Sequence, residues 1–376
     1  MVVSSRNHQS LTAPHQPQRL LLSATNAVTT NRIRAHMTAA GIDAEESDLG
    51  LAIPCSALDW RAVLESIGVG LSPAERRDTR VAFIRSCQDA ADMHRSIFRA
   101  QSLEEMLGGV HEQWLDDVLK NDRIAIHFQP IVQFPPGRLH GYECLMRGID
   151  ADGTLIPPTR VLEAARRLGQ LPLLDQKCRL AGIHAAAPLA GTGLTFFINV
   201  IPSAMARPRI QLAEMMQELQ SHGLRPQEIT LEIVETDQIA NHRELLNILQ
   251  YYRKAGFRVA LDDVGAGYSS LLSLARLRPD YIKLDGELVR QAATSALEAK
   301  MVADLAETAR QNGIITIAEG IETPHQFRLI LASGIRLTQG YFHAKPRQEP
   351  LHSPEIQRLA ARAARAAAHP THGHAA

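Results

Sequence analysis

The chain has 376 residues, 45% hydrophobic and 21% charged, with a formal net charge of zero and a pI near 7.3, the composition of a globular protein with room for one large domain and a smaller one, or for two to three small ones. That balance offers no electrostatic grip on nucleic acid or an anionic membrane, and no apolar run reaches the roughly 18 residues of a membrane span. The four cysteines, Cys55, Cys87, Cys144 and Cys178, are scattered without a CxxC pair; this argues against a disulfide framework and against a zinc site, and fits a reducing, cytoplasmic compartment.

Residues 1–18, rich in Ser, His, Gln and Pro, read as a disordered tail. Residues 19–109 read as a small, mostly helical regulatory region. A short strand over Leu20–Ser23 precedes a helix over Thr30–Ala40. A receiver-like domain is disfavoured because Ala24-Thr25-Asn26 stands where its acidic cluster belongs. Ser72-Pro73-Ala74-Glu75 has the pattern of an N-cap, a proline at the first helical position and a capping-box glutamate. The helix it starts is expected to carry Ile84, Cys87, Ala91 and Phe98 on one face, and His94 completes a heptad-like stripe. Ser102 and Glu105 open a further helix, interrupted at Gly108-Gly109, where the domain boundary is placed.

From residue 110 to 350 strands alternate with helices. Strands are predicted at Ile124–Phe128, Leu139–Cys144, Thr195–Val200, Ile229–Ile233, Arg258–Leu261, Tyr281–Leu284, Ile314–Ala318 and Leu337–Phe342. Amphipathic helices are predicted between most of them, such as Pro158–Leu168, Ala204–Leu219 and Ala292–Gln311. Eight strands with intervening helices fit a (β/α)₈ barrel better than an open sheet. Residues 351–376 read as a C-terminal helix (Glu355–Ala368) and a disordered, histidine-bearing tail.

The predicted strands end in polar residues: Glu143, Asn199, Glu232, Asp262-Asp263, Lys283, Glu319 and Gln339. A strand carboxylate paired with an arginine, or a turn residue, explains each one singly. At successive strand ends of a barrel they converge on one mouth. Acidic groups in apolar strands are costly unless paired or bound to cations, so this set forms a hard-oxygen site for Mg²⁺ or Mn²⁺. Adjacent aspartates suit two ions about 3.5–4 Å apart with one carboxylate bridging.

Phe-Gln-Pro-Ile-Val (128–132), Glu-Cys-Leu-Met-Arg (143–147), Ile-Asn-Val (198–200), Leu-Glu-Ile-Val-Glu (231–235), Leu-Asp-Asp-Val-Gly-Ala-Gly-Tyr-Ser-Ser (261–270), Ile-Lys-Leu-Asp (282–285), Ala-Glu-Gly-Ile-Glu (318–322) and Gln-Gly-Tyr (339–341) follow one another in order. With these motifs the stretch from about Leu115 to Pro346 resembles the EAL domain family of cyclic-di-GMP-specific phosphodiesterases. The resemblance implies a TIM-like barrel whose first strand runs antiparallel to its neighbour, and hydrolysis of cyclic-di-GMP to pGpG. It implies Glu143, Asn199, Glu232 and Asp262 on a first metal ion, Asp262 and Asp263 on a second, and Glu319 on that second ion or its water. Lys283 and Gln339 would orient and help deprotonate the attacking water, and Glu235 would anchor the 262–270 loop, which couples metal binding to dimerisation. Gln129, Leu145, Arg147, Asp285, Tyr341 and Pro346 would meet the substrate, and Glu322 would support the site from behind.

The sequence departs from the family pattern at Cys144, in place of the alanine that names the family, and at Val264 and Ala266 in the loop. Arg166 and Arg336 stand where acidic residues are usual. The alternative reading is a catalytically weak EAL domain serving as a cyclic-di-GMP receptor or interaction scaffold; the full ligand set favours the enzyme. No diguanylate cyclase signature is present.

Overall fold

The computed structural model describes residues 19–47, 49–54, 59–84, 96–97, 100–205, 207–234, 242–265, 274, 276–351, 354–355, 358–359 and 361. By compactness the chain divides into two units, Met1–Lys120 with Thr159–Gln170, and Asn121–Pro158 with Leu171–Ala376. No described helix is long and apolar enough to cross a membrane.

The first unit is organised on an antiparallel sheet of β1 (Arg19–Ser23), β2 (Glu45–Ser47), β3 (Gly50–Pro54), β4 (Arg80–Ile84) and β5 (Gln101–Ser102), in the order β2-β3-β1-β4-β5. Its helices are α1 (Ala27–Ala39), α2 (Trp60–Val69), α3 (Pro73–Asp78), α4 (Leu103–His111) and α5 (Gln113–Lys120). The period of two along each strand sorts the side chains. Leu20, Leu22, Leu51, Ile53 and Val81 join Ile33, Val63, Ile67 and Met106 in the main core. Leu21, Ala52, Ala82 and Ile84 form a small cluster of their own.

The helix expected to run from Ser72 past Ile84 ends at Asp78. Its capping box is present, with Ser72 Oγ accepting from Glu75 N (3.3 Å) and Glu75 Oε2 accepting from Ser72 N (2.9 Å). Thr79 then turns extended (φ −85°, ψ 121°), and Ile84 pairs with Arg19 in the sheet. Val81, Phe83 and Ile84 are β-branched or aromatic, and their sheet propensity overrides a helical spacing that three-residue steps had mimicked. Cys87, Ala91, His94 and Phe98 lie outside the described residues, as does most of the expected C-terminal helix. The glycines 108 and 109 do not interrupt α4, which runs on to His111; the break falls at Glu112.

The second unit is a closed eight-stranded barrel. Its strands are β6 (Ile124–Gln133), β7 (Arg138–Ile149), β9 (Thr195–Val200), β10 (Ile229–Val234), β11 (Arg258–Val264), β12 (Tyr281–Leu284), β13 (Ile315–Ala318) and β14 (Leu337–Thr338), and the short β8 (Leu155–Ile156) adds to the edge of β7. The helices between them are α6 (Pro158–Arg167, grouped by compactness with the first unit), α7 (Leu171–Ala186), α8 (Pro208–Ser221), α9 (His242–Lys254), α10 (Gly286–Ala292), α11 (Ala296–Gln311) and α12 (Pro324–Ala332). β6 is antiparallel to both β7 and β14, the remaining pairs around the barrel are parallel, and the edge strand β8 is antiparallel to β7. The inversion follows from connection length. Only residues 134–137 separate β6 from β7, which suffices for a hairpin, whereas a parallel crossover needs about a dozen residues or more.

Inside the barrel the side chains form layers. Ile131, Phe197, Ala260, Tyr281, Ile317 and Leu337 make a buried apolar lower plug. Two residues further along each parallel strand, the same inward parity delivers Asn199, Asp262, Lys283, Glu319 and Gln339 above it. On inverted β6 the matching residue, Gln129, comes two residues before Ile131. Cys144, one residue out of step with Glu143, is buried in the outer core beside Phe128, Tyr142 and Ile198, so the departure from alanine falls on the face away from the polar layer.

Candidate active site

Four strand ends converge on one ammonium. Lys283 Nζ lies 2.7 Å from Glu319 Oε1, 3.0 Å from Glu232 Oε1, 3.2 Å from Asp262 Oδ1 and 3.4 Å from Glu143 Oε2. Lys283 is 1% exposed and Glu232 is fully buried. Asn199 Nδ2 donates to Glu143 Oε1 (3.2 Å). Gln339 Nε2 donates to Glu143 Oε2 (2.5 Å) and, across the β6–β14 seam, to Gln129 Oε1 (3.1 Å).

Two consecutive strand residues ordinarily face opposite sides of a sheet, yet the Asp262, Asp263 and Glu319 carboxylates come within 4.8 Å of one another. The backbone explains this. The β11–β12 register shifts between Leu261 and Val264, and Asp263 has a φ of +57°, a left-handed conformation that aspartate tolerates better than most residues. The bulge turns Asp263 back toward Asp262, whose Oδ1 accepts from the Asp263 N–H (3.1 Å).

Burial alone would lower the Lys283 pKa, but Asp262, Glu143, Glu232 and Glu319 together raise it well above the usual lysine value. Burial drives Glu232 well above the carboxylate range, against the pull of Lys283. It lifts Glu319 to about 8, and with the charges of Asp262 and Asp285 it lifts Asp263 to about 6. A lysine has three N–H donors and one positive charge, too little for five carboxylates. Although Lys283 Nζ is close to Glu232, neither Glu232 oxygen receives a hydrogen bond, and Gln339 Oε1 is also buried without one. Orphaned buried carboxylate oxygens around an excess of negative charge fit hard divalent cations.

Of the other residues singled out in the sequence, Asp285 is the N-cap of α10, its Oδ1 accepting from Glu287 N (3.1 Å) and Leu288 N (3.2 Å). It stands close enough to Asp263 to act on its charge. Leu145 and Arg147 are half-buried further along β7 than Glu143, and Arg147 donates to the Met146 carbonyl. Tyr341 is exposed, with Lys345 Nζ 5.4 Å from its ring centre, and Pro346 is half-buried. Glu322 is exposed, and its backbone N–H donates to Gln326 Oε1 (2.8 Å). Among the described residues, no hydrogen bond or ion pair joins Leu145, Arg147, Glu322, Tyr341 or Pro346 to the Lys283 cluster. Glu235 and the 266–273 part of the loop lie outside the described residues. The sequence did not reveal the Gln129–Gln339 bond. Its signal would have been that first and last strands of a barrel must meet.

The EAL domain family model matches residues 112–346. The chain is 31% identical over 291 residues to the cyclic di-GMP phosphodiesterase PdeR of Escherichia coli (strain K12), covering 75% of this chain and 44% of PdeR. It is 28% identical over 241 residues to the cyclic di-GMP phosphodiesterase NbdA of Pseudomonas aeruginosa, covering 62% of this chain and 30% of NbdA. The chain therefore spans less than half the length of these curated relatives. A standalone EAL protein from Vibrio cholerae O395, solved in its c-di-GMP-bound form, superposes with a TM-score of 0.55 at 28% identity, over 62% of this chain and 97% of that one. A match across most of the second unit, on a barrel with the fold seen in these structures, means that the chain belongs to the EAL domain family.

Proposed function

We propose that this chain hydrolyses cyclic-di-GMP to linear pGpG with two divalent ions, Mg²⁺ or Mn²⁺. The observation that carries the reading is the convergence of four carboxylates on a single buried lysine, with a fifth, that of Asp263, beside those of Asp262 and Glu319. Named relatives that are cyclic di-GMP phosphodiesterases support the substrate class.

Glu143, Asn199, Glu232 and Asp262 would hold one ion; Asp262, Asp263 and Glu319 would hold the second. When bound, the ions supply Lewis acidity that lowers the pKa of water and offsets charge building on phosphorus. Lys283, kept protonated by its carboxylate neighbours, acts as a donor that orients water and steadies negative charge. Gln339 is fixed by Gln129 and Glu143 through its amide nitrogen, so its carbonyl oxygen is left to accept from water. Arg147 suits a phosphate oxygen through its planar guanidinium, and Gln129, Leu145, Asp285, Tyr341 and Pro346 complete the substrate contacts. Water adds to phosphorus in line, one P–O bond of the ring breaks, and the proton given up by the water balances the one taken by the leaving ribose oxygen. Glu235 as loop anchor, Glu322 as support, a homodimer and a cytoplasmic setting belong to the same reading, the last supported by the free thiols of Cys144 and Cys178.

The test is chromatography of cyclic-di-GMP after incubation with the full chain in Mg²⁺ or Mn²⁺, beside Glu143→Ala. Formation of pGpG by the parent alone is expected. Intact nucleotide that is bound but never cleaved in either ion would replace the enzyme with a receptor.

A further inference from the structure

The cysteines give no sign of zinc, but the histidines do. His184 in the last turn of α7, Glu218 in the last turn of α8 and His222 at the α8 C-cap bring their ligand atoms within 4.8 Å of one another. Both imidazoles aim Nε2 at the same carboxylate oxygen: Glu218 Oε2 is 2.8 Å from His184 and 3.6 Å from His222. The rings stand 5.0 Å apart, centre to centre. We propose that His184 Nε2, His222 Nε2 and Glu218 Oε2 bind one Zn²⁺ ion, with water in the fourth position, clamping α7 to α8.

The geometry suits a small tetrahedral ion. Zinc bonds of 2.0–2.2 Å set neighbouring ligand atoms about 3.3 Å apart, and the two measured separations bracket that value. The i,i+4 spacing of Glu218 and His222 puts both on one face of α8, and the His222 N–H, bonded to the Glu218 carbonyl (3.1 Å), holds that spacing at the helix end. Side chains 31–51% exposed leave the fourth position open to solvent. The partial negative charge of two helix C-termini adds to the attraction for a cation.

This site differs from the barrel's polar layer in place and in chemistry. α7 and α8 lead into β9 and β10, so their C-terminal ends lie where those strands begin, at the opposite end of the barrel from Asn199 and Glu232. Two imidazoles and one carboxylate favour Zn²⁺ over the hard Mg²⁺ and Mn²⁺ ions suited to an all-oxygen set.

The test uses the full chain with His369→Ala, His372→Ala and His374→Ala, so that the tail histidines do not compete, and saturating Mg²⁺ to occupy the carboxylate cluster. Zn²⁺ is titrated against a chromogenic chelator. One equivalent per chain at micromolar or tighter affinity is expected, weakened at least about tenfold by each of His184→Ala, His222→Ala and Glu218→Gln. Zn²⁺ should raise the melting temperature of the parent and not that of the variants, whose zinc-free melting should match the parent's because the three side chains are partly exposed. Uptake unchanged in all three variants would put the ion elsewhere, and no uptake at micromolar Zn²⁺ would leave a plain histidine–carboxylate contact; either result overturns the proposal.

Discussion

Lys283 Nζ sits 2.7 Å from Glu319 Oε1, the shortest of its four carboxylate contacts, and both side chains arise from adjacent parallel strands or their ends. That ammonium is the counter-charge for a buried acidic layer. Lys283→Met should therefore cost about 3–5 kcal/mol in metal-free buffer, with much of the loss restored by Mg²⁺. Turnover should stay at least about a hundredfold down even then. Urea unfolding with chelator and with Mg²⁺, beside an activity assay, reads both. Equal stability of variant and parent without metal would refute the counter-charge role.

Asp263 separates backbone from ligand requirements. Asparagine tolerates its +57° φ, so Asp263→Asn should fold with near-parental melting while losing about a hundredfold or more in turnover. Asp263→Val forces a β-branched residue into that conformation and should also cost about 1–3 kcal/mol. Thermal melts and rates on the two variants distinguish these effects.

Gly340 follows the buried Gln339 with a φ of +153°, and a Cβ there would lie 2.2 Å from the Ile321 carbonyl oxygen. The obstacle is backbone, which cannot swing aside. Gly340→Ala should shift the β14 end, breaking the Gln339–Gln129 bond, and lower both stability and turnover. A crystal structure or a melt with a rate measurement would show it; a fully active, equally stable variant would contradict the strain.

Asp175 and Arg179 form an ion pair on α7, both side chains about 1% exposed, and Asp175 Oδ1 also accepts from Ile201 N (2.8 Å) just beyond β9. Burial outweighs the arginine and lifts Asp175 to about 6. Because this folded-state value exceeds the unfolded one near 4, the folded chain holds the proton more tightly. The group's contribution is full below about pH 4 and declines as pH rises through about 6. Asp175→Asn should remove that slope from a stability–pH profile.

The barrel was legible because its strands are short apolar runs bounded by turn residues. Thr195–Val200 and Tyr281–Leu284 appear with the expected ends, and β6, β7 and β11 extend beyond them. The last strand is shorter than Leu337–Phe342 suggested, because Gly340 turns the chain out of the sheet after Thr338. The helix expected over Ala292–Gln311 starts only at Ala296, after Ser295 turns extended, and α10 (Gly286–Ala292) ends where it was expected to begin. α12 went unread although Thr323-Pro324-His325-Gln326 carries a capping box. The polar layer was visible as residue types at strand ends; the bulge at Asp262-Asp263 and the Gln129–Gln339 bond were not, since each depends on register between strands. The first unit was the least legible. Its sheet pairs segments distant in sequence, and a capped helix ran straight into β4.

The hairpin that inverts β6 also sets the order in which the molecule can be completed during synthesis. β6 must wait for β14 to close the ring, and Gln129 meets Gln339 across 210 residues of chain. Loop-closure entropy makes such long-range pairing slow compared with local contacts. A ribosome-bound chain that has reached β13 holds nearly all the acidic side chains on an open sheet, with Gln339 still unmade. The polar layer is therefore completed only once β14 is made, and interrupted chains would carry its charges without its geometry.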